Sequence, residues 1–208
     1  MLDLTKIKFD ASPNFSTRGA HKPELIIMHC PVGTLQGTVS TFKNPSSRVS
    51  AHYVVDRDGS ILQMVKLDQA AWHAMNYPNL IGIGIEHVDR YDYSGRLMGG
   101  CMVDPNWFTE AQMQASANLV YALMKQFNIP VEKVMGHNDP WLRQFHNTHQ
   151  DPGPYWNWYQ YRLRLEKCKQ ADVPEAQQTS NDTAEKTSNS TEELVNIKRK
   201  AGRPPRNK

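Results

Sequence analysis

The chain has 208 residues, 39% of them hydrophobic, and a formal net charge of +3. That length suits one well-buried domain with a tail and is too short for two ordinary domains; no apolar run approaches the roughly 20 residues of a membrane-spanning helix. Three cysteines, Cys30, Cys101 and Cys168, stand at irregular spacings with no CxxC, which argues against a disulfide framework and for a reducing compartment.

The opening, MLDLTKIKFDASPNF, lacks the basic start, continuous apolar stretch and small-residue cleavage site of a secretory signal. A protein made and folded in the cytoplasm is expected, and any later exit would need a route other than a cleaved signal. Residues up to about Lys22 read as extended and polar. PELIIMHC, residues 23–30, is a short apolar run opened by proline and reads as a buried strand. GTVSTFKN follows with a helical turn or two. SAHYVVDRDGSILQMV, residues 50–65, is the clearest hairpin: two β-rich runs flank DRDG, whose Asp58-Gly59 suits a tight turn. IGIGIEHV, residues 81–88, is a further strand whose glycines let something approach the backbone closely.

FTEAQMQASANLVYALMKQF, residues 108–127, is the best helix. Thr109 and Gln112 form a capping box, and Ala115, Leu119, Ala122, Leu123 and Met124 keep helical spacing before Pro130. VEKVMGH reads as a strand, and YWNWYQYRLRLEKCK, residues 155–169, as a closing helix with Pro154 just before its first turn. The order predicts a single α/β domain over residues 1–170, with a central mixed β-sheet flanked by helices. Residues 171–208 are too poor in apolar side chains to offset chain entropy and read as a disordered polar tail ending in a basic segment. Within it, residues 171–197 hold one lysine against six acids, while residues 198–208 hold six basic residues and no acid.

GHNDPWLRQFHNTHQDPG, residues 136–153, packs three histidines (His137, His146, His149) and two aspartates (Asp139, Asp151) between two glycines. A catalytic zinc takes three protein ligands and leaves one position for water, so the candidates elsewhere in the chain matter. His29 ends the first apolar strand. Cys30 is as good a ligand by type, but successive strand side chains point to opposite faces, so only one of the two faces a given site and His29 is favoured. His137 follows another predicted strand. His149 and Asp151 are two apart in a segment held extended by Pro152, and so share a face: one can bind a metal while the other reaches what the metal activates.

The series SPNF, IIMH, SAHYVVDRDGSI, AWHA, IGIE and GH…DPG resembles the zinc-dependent N-acetylmuramoyl-L-alanine amidases of the amidase-2 type. That group includes phage endolysins, cytosolic amidases that recycle anhydro-muropeptides, and peptidoglycan recognition proteins. The resemblance runs from about Ser12 to Trp158. It implies one zinc ion per chain, held by His29, His137 and Asp151, with Glu86 of IGIE as the catalytic carboxylate and His149 polarising the scissile carbonyl. It also implies a groove lined by Trp72 and His73 of AWHA, with His52 of the hairpin near the site as an outer donor or a packed residue.

Three features depart from the pattern. Lysine is common at the position of His149, whose charge titrates near pH 6.5 when unperturbed. His149 could instead be the ligand, with Asp151 its outer partner. The loop between His137 and Asp151 is longer than the compact pattern, and reads either as a surface excursion or as a lip whose Trp141 stacks on sugar; His146 is not favoured as a ligand. Ala51 stands where another branch has a catalytic tyrosine, which shifts the burden to Glu86. His21 and His87 are assigned to the surface, Cys101 and Cys168 to packing.

The expected activity is hydrolysis of the amide between N-acetylmuramic acid and L-alanine in peptidoglycan, as in wall lysis by an endolysin, by a monomer. A cytosolic amidase acting on anhydro-muropeptides is the alternative. A non-catalytic peptidoglycan-binding module is a further one, though such proteins lose ligands that are intact here. Gly202-Arg203-Pro204 resembles an AT-hook core, but a basic terminus that clings to wall polymer or lipid headgroups is favoured over DNA binding.

Overall fold

The computed structural model describes residues 1–31, 33–88, 101, 104 and 106–173. The chain divides into a unit Met1–Cys168 and a unit Lys169–Lys208. The second is described only over residues 169–173, so the expected disordered tail lies outside the described residues from 174 on, its basic end included.

Among the described residues eight strands appear in chain order: β1 (Lys8–Phe9), β2 (Phe15–Thr17), β3 (Leu25–His29), β4 (Tyr53–Val55), β5 (Ile61–Gln63), β6 (Gln69–Ala71), β7 (Gly82–His87) and β8 (Val134–Gly136). Six form one sheet in the order β1-β5-β4-β7-β3-β8, and β2 pairs with β6 in a small second sheet. Strands β4, β7, β3 and β8 run parallel, and the β4–β5 hairpin is antiparallel, so the sheet is mixed as expected. Gly59 takes φ +90° in the hairpin turn, a conformation that costs glycine nothing.

Every residue of β3 is buried, as befits a parallel strand covered on both faces. Alternation sorts the faces. Ile26, Met28, Tyr53, Val55, Ile83 and Ile85 pack with the helices α3 (Glu110–Phe127) and α4 (Trp158–Ala171). Leu25 and Ile27 pack on the other face with Ile81 of α2 (Asn76–Ile81) and Leu142. Val54 meets Phe42 of α1 (Leu35–Lys43) there.

Two helix ends differ from their sequence reading. Thr109 Oγ1 accepts from the Gln112 N–H at 3.1 Å, but the Gln112 amide donates to the Val55 and Val88 carbonyls instead of returning to the cap. Only half of the box forms, because the glutamine lies fully buried against the sheet. Helix α4 starts at Trp158, three residues late, where Asn157 Oδ1 accepts from the Gln160 N–H at 3.0 Å and supplies the cap.

His87 corrects a sequence reading. It is 0% exposed, not at the surface. Strand alternation turns it away from Glu86 and toward α3. Its Nδ1–H donates to the His29 carbonyl at 3.0 Å and its Nε2 accepts from Ser116 Oγ at 2.7 Å; Ser116 in turn lies 2.8 Å from the Tyr161 hydroxyl. This buried chain ties α3 and α4 to the end of β3. Burial pushes His87 down to about 4, so the ring stays neutral and can both donate and accept. Ser116→Ala would strand the His87 nitrogen, and urea unfolding should show a loss of about 1–3 kcal/mol.

Candidate active site

The ends of three neighbouring parallel strands carry the site, at the carboxyl edge where open α/β sheets place their chemistry. His29 is register-paired with Glu86, and Met28 with Gly136. The His137 N–H then donates to the Met28 carbonyl at 3.1 Å, and the Asn138 N–H to the Asp151 carbonyl at 2.9 Å. That last bond draws the far end of the long loop back to the strand edge. Asn147 secures it from inside: its amide donates to the His137 carbonyl, and its Oδ1 accepts from the His149 N–H at 2.9 Å.

His29, His137 and Asp151 thus converge, with one ligand atom from each lying within 4.8 Å of the others. His29 Nδ1 is 3.1 Å from Asp151 Oδ2, and His137 Nδ1 is 3.3 Å from Oδ1. Two imidazoles and a carboxylate are the donor set of a catalytic zinc. His137 Nε2 is buried with no hydrogen-bond partner. His149 stands apart from the trio. It stacks on His137 with ring centroids 4.2 Å apart, its Nδ1 is 3.5 Å from Asp151 Oδ1, and its side chain is 57% exposed.

The charges are arranged to suit. Burial would raise the Asp151 carboxyl, but hydrogen bonds with His137, His149 and His29 hold it well below the usual range. Burial brings His137 down to about 4, leaving a neutral ring able to ligate. The hydrogen bond to Asp151 raises His149. Glu86 is 9% exposed, and its Oε2 has no hydrogen-bond partner. Burial, partly offset by His29, pushes its carboxyl up to about 7, where one group can take and return a proton near neutral pH.

These groups open into a cleft of about 920 Å³, lined among others by Arg48, Trp72, His73, Asn79, Glu86 and His149. Trp72 lines it, with its Nε1–H 3.3 Å from Ser16 Oγ. Two residues weighed from sequence as possible site contacts lie outside the cleft lining. His52 is 0% exposed; its Nδ1 accepts from the Gly84 N–H at 3.0 Å, and its Nε2 lies 3.1 Å from the Gln69 carbonyl. It is a packed residue. Trp141 is absent from the cleft lining; the loop folds into a 3-10 turn, Pro140–Phe145, whose Leu142 enters the core while Trp141 meets Phe145 edge-on at 5.0 Å. His146 ends that turn, exposed, at φ 64°. Cys30 and Cys101 are buried against Trp107.

Sequence reading missed Arg18. Only 2% exposed, it donates to the carbonyls of Leu67 (2.9 Å), Leu80 (2.6 Å) and Gly82 (2.8 Å) and lies 2.7 Å from His52 Nε2. It ties the residues just before β6 to the junction of α2 and β7. A lone arginine in a polar stretch carries no periodic signal that would reveal this.

Comparison with known proteins gives the family. The N-acetylmuramoyl-L-alanine amidase family profile matches residues 19–154. N-acetylmuramoyl-L-alanine amidase A of Achromobacter lyticus is 32% identical over 170 residues, covering 73% of this chain and 87% of that protein. The 1,6-anhydro-N-acetylmuramyl-L-alanine amidase AmpD of Salmonella typhimurium is 29% identical over 172 residues, covering 73% and 86%. Among solved structures, a selenomethionine derivative of AmpD superposes with a TM-score of 0.60 at 25% identity, over 79% of this chain and 99% of that one. With well over half of its length matched by the profile, and the strand ends and the long loop delivering two histidines, a glutamate and an aspartate to one cleft, this chain belongs to the N-acetylmuramoyl-L-alanine amidase family, and is an enzyme of peptidoglycan.

Proposed function

We propose that the protein hydrolyses the muramoyl–L-alanine amide with a single zinc ion held by His29, His137 and Asp151. The convergence of those three side chains within 4.8 Å, beside a register-paired Glu86, carries this reading. Zinc bound there supplies a Lewis acid that acidifies water toward neutrality. Glu86 accepts the proton of the attacking water and returns it to the departing L-alanine nitrogen, acting as base and then acid. His149, exposed beside Asp151 and raised by it, donates a hydrogen bond to the oxygen on which negative charge develops. The cleft beyond these groups holds the muramoyl unit and stem peptide, with the Trp72 indole as an apolar wall.

Polymeric wall is the substrate put forward, with the likeness to AmpD proteins favouring a second reading, soluble anhydro-muropeptide. The two separate cleanly. Intact sacculi and purified anhydro-muropeptide are incubated with equal enzyme, and released stem peptide is measured. Release from sacculi at the higher rate supports wall hydrolysis; release from the soluble substrate alone assigns the protein to recycling. Deleting residues 198–208 should lower binding to sacculi at low salt and leave cleavage of soluble substrate unchanged, if the basic end contacts wall polymer.

A further inference from the structure

His73 lines the cleft, and its ring also reaches inward to His29. The ring lies flat against β7 where Gly82 and Gly84 leave room for it. A Cβ on Gly84 would fall 2.5 Å from His73 Cγ and one on Gly82 3.2 Å from Cε1, so no larger residue fits beneath the ring as placed. The backbone on which it sits is pinned as well: Asn79 Oδ1 accepts from the His73 N–H at 3.0 Å and the Ala74 N–H at 2.7 Å. The outcome sets His73 Nδ1 3.0 Å from His29 Nε2, with the two rings edge-to-face at 89°.

The other nitrogen of His29, Nδ1, is the one aimed at Asp151 Oδ2. An imidazole that gives its Nδ1 lone pair to a cation keeps its proton on Nε2, and that proton needs an acceptor in a buried site. His29 is 3% exposed, so water is not the general answer. His73 Nδ1 is the acceptor at hand. Accepting there places the proton of His73 on its own Nε2, which is buried without a partner.

We propose that His73 is a positioning residue: its Nδ1 accepts the Nε2–H of His29, and so fixes the tautomer and ring orientation in which His29 Nδ1 faces the metal. This rests on the zinc reading above and gives the two glycines of IGIGIE their purpose, since the close approach they permit is that of the His73 ring.

Three full-length proteins test it: the parent, His73→Asn and His73→Phe. Asparagine keeps an acceptor near the Nδ1 position. Phenylalanine keeps a ring over Gly82 and Gly84 and removes the acceptor. Zinc affinity is measured by competition with a chromogenic chelator, and metal-free melting curves check the fold of each. His73→Phe should bind zinc about 10–100-fold more weakly, and His73→Asn within a few-fold of the parent. Zinc bound by His73→Phe as tightly as by the parent overturns the proposal, and so does His73→Asn as weak as His73→Phe. A direct readout avoids substitution altogether: nitrogen NMR of the zinc-loaded parent should show His29 protonated at Nε2, and a bare Nε2 would sink the idea. A parent chain that binds no zinc overturns the zinc reading as well, so the two failures are distinguishable.

Discussion

Asp151→Asn should cost the enzyme its metal and about 10³-fold or more of its activity. The substitution keeps the shape of the side chain and one acceptor oxygen, and removes the charge around which the site is organised. Three imidazoles converge on that carboxylate: His29 at 3.1 Å, His137 at 3.3 Å and His149 at 3.5 Å. Their hydrogen bonds hold it ionised despite burial. An uncharged amide is a poor zinc ligand, so affinity should fall by more than the roughly 10–100-fold typical of an outer partner. Lewis-acid assistance is worth several kcal/mol, and about 4 kcal/mol corresponds to roughly 10³ in rate. Metal content after dialysis and hydrolysis of muropeptide are the two measurements. An Asp151→Asn protein that retains one zinc per chain and near-parental turnover refutes the ligand assignment, including in favour of the alternative in which His149 ligates and Asp151 only supports it.

Glu86→Gln separates metal from proton transfer. Glutamine is nearly isosteric, and Glu86 touches neither nitrogen by which His29 or His137 would bind zinc, so metal content should stay at about one per chain. Turnover should drop by about 10²–10⁴-fold, the usual worth of a positioned acid–base group. The loss should fall on kcat, since Glu86 handles a proton that moves only as the amide breaks. A variant within about tenfold of the parent would assign that proton to another group. Read together, the two substitutions divide the site into what holds the ion and what moves the proton.

How much of this was legible beforehand varies by residue. PELIIMHC announced a buried strand as a short apolar run and IGIGIEHV a further strand, and the structure has β3 and β7 there. DRDG announced its turn. The helix over residues 108–127 appeared within two residues of its expected start, because capping and periodicity are local signals. The closing helix began late, since its cap is Asn157 and the tryptophan-rich stretch before it belongs to the core around Trp156. His87 was misplaced for want of its neighbour: alternation along β7 already put it opposite Glu86, but nothing local shows that α3 covers that face with Ser116 waiting.

His52, Trp141 and Arg18 fail to read for a different reason. His52 and Arg18 have their partners far along the chain, Gly84 for the one and the carbonyls of Leu67, Leu80 and Gly82 for the other, while Trp141 meets Phe145 four residues on, with Leu142 sunk in the core beside it. Side-chain type and local spacing describe what a residue can do, not which groups the fold will set against it.

The order of strands and helices, the α/β class, the glycines that admit a close neighbour and the chemical types gathered in GH…DPG are all properties of short stretches, and the amino-acid order alone determined them. Which histidines meet was decided elsewhere. Parallel pairing of β3 with β7 and β8 brings His29 beside Glu86 and His137 from more than fifty and a hundred positions away, and the His73 ring reaches His29 only because β7 is bare of side chains beneath it. Such contacts depend on strand register and on the packing of distant elements, which act through space and leave no period in the sequence.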